Sequence, residues 1–170
     1  MFGLTKKKPS FVRLDFVDHP VLGRLSPSDT VSGALVGSVT AADLTLCICV
    51  NPDGASLESA LAFTAAAVSQ FAELDARCRT LVADNFLTSY NSNRRFGAVA
   101  KADGTTEQFE KPLLTEPQFV ASLTPTEIET TGAELLAVSY ADGEIFWEHS
   151  ICVTSFDGLK LTDVRIELQG

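Results

Sequence analysis

Residues Ala133 to Gly170, AELLAVSYADGEIFWEHSICVTSFDGLKLTDVRIELQG, decide the fold class, because they read as short strands separated by Asp-Gly turns. Asp142-Gly143 is a pair that suits a tight hairpin, where both central positions need positive φ. It should join a strand over 134–140 to one running from Ile145 through Thr154. Asp157-Gly158 makes a second turn into 160–168, where Val164, Ile166 and Leu168 alternate against Asp163, Arg165 and Glu167. Leu159 and Leu161 fall on the opposite phase, which predicts a bulge or bend near Thr162.

Upstream the same logic gives a first hairpin. Segments 32–39 and 44–50 flank Thr40-Ala41-Ala42-Asp43, and Leu44, Leu46, Ile48 and Val50 point away from Thr45, Cys47 and Cys49. Asn51-Pro52-Asp53-Gly54 ends it with strong turn punctuation. A weaker strand is expected over 11–16, before His19-Pro20, and a turn at Ser26-Pro27-Ser28-Asp29. From Ser56 to Tyr90 there is no proline or glycine, and apolar residues recur every three or four positions, so one long helix, or two with a kink, should follow. Glu73 with Arg77 and Asp75 with Arg79 are spaced as ion pairs on its wet side. Segment 101–110 reads as an exposed loop. Thr115-Glu116-Pro117-Gln118 matches a capping box opening a short helix to Ser122, and 126–130 reads as an edge strand. Strands, helices and a final meander in separate blocks make an α+β domain: an antiparallel sheet, N-terminal hairpin plus C-terminal meander, packed on one long helix and a short second one.

The chain has 170 residues and 45% hydrophobic residues, enough for one domain to bury about 70% of its unfolded surface, with 1–10 expected to be flexible. Its net charge of -9 repels phosphate backbones and anionic lipid, so neither nucleic acid nor membrane is an expected partner; a basic protein is. Lys6-Lys7-Lys8 reads as a solvated terminus. No apolar run has the length of a signal core or a span, so a cytoplasmic location is expected, with the four cysteines reduced.

Strand alternation places Ile145, Trp147, His149, Ile151 and Val153 on one face and Phe146, Glu148, Ser150 and Cys152 on the other. The first set reads as core, with His149 a satisfied core histidine beside the only tryptophan. The competing reading is a groove floored by Trp147 in which Glu148 and His149 supply polar contacts. After the long helix, Asn91 and Asn93 read as helix termination and Arg94 and Arg95 as caps on its last carbonyls, with a partner contact as the alternative. Cys47 and Cys49 share a strand face but lack a second ligand pair, so neither a metal nor a cofactor is expected. No nucleophile elbow, P-loop or His-Glu-x-x-His occurs, and no catalytic residue is assigned. Asp142, Glu144 and Glu148 read as a solvated acidic rim.

Three segments carry a family resemblance: His19-Pro20-Val21-Leu22-Gly23, the helix ending at Tyr90-Asn91, and Tyr140-x-Asp142-Gly143 leading to Phe146-Trp147-x-His149-Ser150-Ile151. On these the chain resembles a bacterial uncharacterised family, domain of unknown function 2262. It has Glu148 where the family pattern has glycine, and Arg94-Arg95 where a tryptophan is usual. The resemblance implies a small cytoplasmic bacterial protein of the accessory or immunity type and brings no activity with it. The leading expectation is therefore a non-enzymatic acidic interaction domain. The rivals are a small-molecule binder or enzyme using a His149/Trp147 pocket, and a homodimer paired through an exposed sheet edge.

Overall fold

The computed structural model describes residues 14–147 and 149–170. The Lys6 to Lys8 run, the proposed flexible terminus, the start of the strand expected at Phe11, and Glu148 lie outside them. Ten strands follow in chain order: β1 (Val17–His19), β2 (Gly23–Pro27), β3 (Leu35–Ala41), β4 (Leu44–Asn51), β5 (Phe96–Ala100), β6 (Thr106–Glu110), β7 (Thr124–Thr131), β8 (Leu135–Ala141), β9 (Ser150–Ser155) and β10 (Val164–Gln169). The α+β reading holds. Eight of the strands form one sheet, ordered β1-β2-β3-β4-β7-β8-β9-β10, antiparallel except where β4 meets β7. That junction joins the N-terminal hairpin to the C-terminal meander. Of the strand expected at 11–16, the described residues 14–16 are not in a strand; β1 begins at Val17, and after it His19 Nδ1 accepts the N–H groups of Val21 (3.2 Å) and Leu22 (3.3 Å) and fixes the turn into β2.

β7 corrects the expectation of an edge strand, since it lies at the centre. A proline and two glutamates argue for an edge, but Pro125 sits at a register shift and Glu127 and Glu129 point to the face no helix covers. Ala42 (φ 48°) and Asp43 (φ 62°) make the β3–β4 turn as the sequence implied.

The long apolar-periodic segment is two helices, α1 (Leu57–Ser69) and α2 (Phe71–Ser89), broken at Gln70, followed by a π-helical turn at Tyr90–Arg94. Ser56 caps α1, its hydroxyl accepting from Ser59 N–H at 3.0 Å. A third helix, α3 (Glu116–Ser122), opens on Thr115, whose N–H is taken by Gln118 Oε1 at 2.9 Å. Gly37, Ile48, Ile128, Val138, Val153 and Ile166 form one continuous row across the sheet on the face that α1 and α2 cover. Within this core, the buried hydroxyls of Thr64 and Thr130 meet at 2.6 Å and tie α1 to β7.

The two expected ion pairs fare differently. Arg77 ignores Glu73 and donates to the Leu159 carbonyl (3.0 Å) and that of Lys160, holding the 3-10 turn Gly158–Lys160 that precedes β10. Asp75 and Arg79 do pair at 2.7 Å, yet away from the wet side. Asp75 accepts from Tyr140 Oη at 2.9 Å, while Arg79 donates to Val120 O (2.8 Å) and Leu123 O (2.7 Å), so one pair binds α2 to β8 and α3. The bend expected near Thr162 falls at left-handed Leu161 (φ 54°). Segment 101–110 is an exposed loop only over 101–105: β5 and β6 pair as a separate two-stranded hairpin whose tip, Ala102 to Thr105, holds the Asp-Gly turn, and 106–110 is strand.

Candidate functional site

Asp142 organises the connection between β8 and β9. Its carboxylate, buried with its residue 3% exposed, accepts the N–H groups of Glu144 (2.9 Å) and Phe146 (2.5 Å), and its carbonyl accepts Ile145 N–H at 3.1 Å. Gly143 (φ 58°) and Glu144 (φ 69°) are both left-handed while Asp142 is not, so the turn sits one residue beyond the Asp-Gly pair expected at its centre, and no tight hairpin closes between β8, which ends at Ala141, and β9. The strand expected after it does not form either. Two of its donors already serve Asp142, Trp147 is also left-handed (φ 65°), and β9 starts only at Ser150. Period-two alternation therefore fails over 145–149, and with it the assignment of Trp147 and His149 to the core.

Instead Ile145 and Phe146, consecutive residues, are both buried. The Phe146 ring packs against Phe86 (centroids 5.4 Å apart), Tyr90 (6.1 Å) and Phe119 (6.2 Å). Trp147 is 41% exposed and turns the other way, onto the β5–β6 hairpin. There it meets Phe109 at 4.8 Å and carries the Lys111 ammonium 3.7 Å from its ring centroid. Gly97 makes this possible: a Cβ there would lie 2.3 Å from the Phe109 ring and 2.8 Å from the indole. His149 is half-buried, its Nδ1 against the carbonyls of Phe146 and Trp147 (3.2 Å), which makes it a clasp on the loop's own backbone.

The cluster after α2 is also architectural at its first member. Asn91 pairs with Leu114 through both amide atoms, donating to its carbonyl (2.9 Å) and accepting its N–H (3.0 Å). Asn93 is exposed, and Arg94 is exposed with its guanidinium carbon 5.8 Å from the Phe146 ring centroid. Arg95, read with Arg94 as a cap on the helix carbonyls, is the better anchored and does cap one. It donates to Asn91 O (3.1 Å) and Lys111 O (3.2 Å), pairs with Glu110 and lies over Phe96 at 4.2 Å. A cleft of about 250 Å³ lies beside this region, lined in part by Tyr90, Lys111, Gln118 and Glu144; neither Trp147 nor His149 lines it. A second, of about 440 Å³, lies by the Asn51 to Ala55 turn.

Trp147→Ala should therefore loosen the hairpin and spare the core. Limited proteolysis within 101–105 is expected to accelerate while the main unfolding transition shifts little. Unchanged cleavage would show that the hairpin does not depend on the indole.

Burial pushes the thiols of Cys49 up to about 11 and Cys78 up to about 12, which keeps these two neutral, and all four cysteines are free. No three His, Cys, Asp or Glu side chains group as metal ligands among the described residues. No described helix is long and apolar enough to cross a membrane.

The sheet's other face differs in character. Ser38, Cys47, Glu127, Ser139, Cys152 and Glu167 form one row, and Val36, Cys49, Glu129, Ala137, Thr154 and Arg165 the next. No described element packs over them. Cys49, Ala137 and Cys152 are small enough to be shielded by their neighbours, leaving the longer carboxylates as the relief. Glu127 and Glu129, two positions apart on the central strand, form no ion pair among the described residues, whereas Glu167 pairs with Arg165 at 2.6 Å. Burial, and then the charge of Glu127, raise the carboxyl of Glu129 above its ordinary value.

Fold and site together define an α+β protein with helices on one side of a broad sheet and an acidic, small-residue face on the other. The chain belongs to the family described as an uncharacterised protein conserved in bacteria (DUF2262), which matches residues 19–166. No curated protein and no solved structure matches it.

Proposed function

We propose that the protein acts by docking a basic protein surface on its uncovered sheet face, and that it is not an enzyme. One observation carries the reading: Glu127 and Glu129 stand together on that face with no cation paired to either among the described residues, at a cost in mutual repulsion and desolvation that a lysine or arginine from a partner would relieve. The net charge of -9 favours the same partner by long-range steering. A flat surface of serine, threonine, alanine and cysteine admits close approach of another backbone. Four free thiols suit the reducing interior of a bacterial cell, where we place the protein. An immunity-like neutraliser of a basic protein fits this description.

The pocket alternative at His149 and Trp147 has less support, since the histidine clasps its own loop and the tryptophan serves the hairpin. Titration with an arginine-rich peptide, followed by amide chemical shifts, tests the surface directly. Perturbations should centre on β4, β7 and β8, and affinity should fall by about tenfold or more in the variant Glu127→Lys/Glu129→Lys. Shifts confined to the 250 Å³ cleft or to the β5–β6 hairpin would overturn the assignment.

A further inference from the structure

β10 ends the sheet, and its outer edge has a composition suited to one occupant in particular. Asp163 O accepts from Phe156 N–H at 2.9 Å, which sets the phase of the β9–β10 ladder. In an antiparallel pair alternate residues bond to a given neighbour, so Arg165, Glu167 and Gln169 face β9 with their backbone groups. Those of Val164, Ile166 and Leu168 point outward, and among the described residues no strand takes them. Natural edges are blunted by lysine, proline, a bulge or shortness. β10 over 164–169 carries no lysine, proline or bulge, whereas β1 at the opposite edge is three residues long.

Around Ile166 the sequence is Val164-Arg165-Ile166-Glu167-Leu168. Laid antiparallel on a copy of itself with Ile166 opposite Ile166, it sets Arg165 against Glu167 of the other copy in both directions, and Val164 against Leu168. We propose that two copies of this chain pair through β10 in this register, making one sheet continuous across a two-fold axis. The outward N–H and C=O groups of Val164, Ile166 and Leu168 then all find partners. Arg165 and Glu167 fall at the non-hydrogen-bonded positions of the new ladder, where Cα atoms approach to about 4.5 Å and opposite side chains lie closest. Within one chain these two residues already meet at 2.6 Å on the same face, so the exchange to a cross-strand pair needs only a change of rotamer. The half-buried Val164, Ile166 and Leu168, which flank the core at the sheet's end, become interior. Because the axis is perpendicular to the sheet, both acidic faces lie on the same side of the dimer.

Charge exchange tests the register. Arg165→Glu alone and Glu167→Arg alone each place like charges opposite one another twice, so each variant should sediment as a monomer while the native chain sediments as a dimer. Mixing the two variants restores both pairs, and native mass spectrometry should detect the heterodimer. The double exchange Arg165→Glu/Glu167→Arg should form homodimers again. All positions are on the surface, and circular dichroism confirms that each variant folds. A monomeric native chain overturns the proposal, as do dimers that persist in both single variants, or single variants that stay monomeric when mixed. None of these outcomes bears on the peptide titration of the acidic face, which a monomer performs equally well.

Discussion

Phe146→Ala should lower the unfolding free energy by about 3–5 kcal/mol, and Trp147→Ala by much less. A domain of this size is stable by only about 5–15 kcal/mol, so the first variant loses a large share of what it has. The reasons are local. Phe146 is 1% exposed and touches rings from three elements, Phe86 on α2, Tyr90 in the π-helical turn and Phe119 on α3, so its removal leaves a cavity that these cannot close without moving their helices. Trp147 is larger but stands at the surface, against a two-stranded hairpin that adds little to the main core. Urea melts of the two variants measure the difference. Equal costs, or a larger cost at Trp147, would restore the alternation that places the indole inside.

That alternation was the natural reading of Ile145 to Val153, and it failed for a reason visible in one side chain. Asp142 can serve as a turn residue or as a cap, and here it does both: the turn at Gly143 and Glu144 forms, and the same carboxylate then holds Phe146 N–H. A strand needs that donor for its ladder. Nothing in the sequence distinguishes an aspartate that only turns the chain from one that also detains the residues after it. Where patterns were regular over longer stretches the structure was legible: the β3–β4 hairpin, the apolar stripe of α1 and α2, the Thr115 cap and the alternation of β10. The central position of β7 was not, because local sequence records which face a residue takes and not which strand lies beside it. Two glutamates on a strand suggest an edge, and equally fit a central strand with one bare face. The site residues divide the same way. Asn91 was noticed for its helix-ending chemistry, while its pairing with Leu114 depends on a chain segment that no spacing rule brings near. Arg95 was legible as an arginine placed to cap the carbonyls left free where the helix ends, while its hold on Lys111 O and Glu110 depends on β6 lying alongside.

Stability should fall steeply above pH 9, and Cys78 should account for much of the slope. Its thiol lies on α2 facing β8, and burial raises it from an ordinary 9.0 to about 12. The neutral thiol is thus the form the fold requires, and the unfolded chain ionises first. A raised folded value contributes stability that is complete below the unfolded value and is lost as pH climbs towards the folded one. At about 1.4 kcal/mol for each unit between them, Cys78 alone would remove roughly 2–3 kcal/mol between pH 8 and pH 11. Burial raises the Tyr140 hydroxyl as well, and Cys49 to about 11, so the window from pH 9 to 12 holds several groups acting in one direction. Cys78→Ala separates the contributions. It should cost some stability at pH 7 through the cavity it leaves, yet flatten the decline between pH 9 and pH 11, so that the native and variant curves converge on the alkaline side. Thiol labelling of the native protein at pH 8 gives an independent check: exposed Cys47 should react at once and Cys78 only as fast as the fold opens. A decline of unchanged slope in the variant would mean that the proton on Cys78 is not what alkali removes, and prompt labelling of Cys78 would mean that the helix does not bury it.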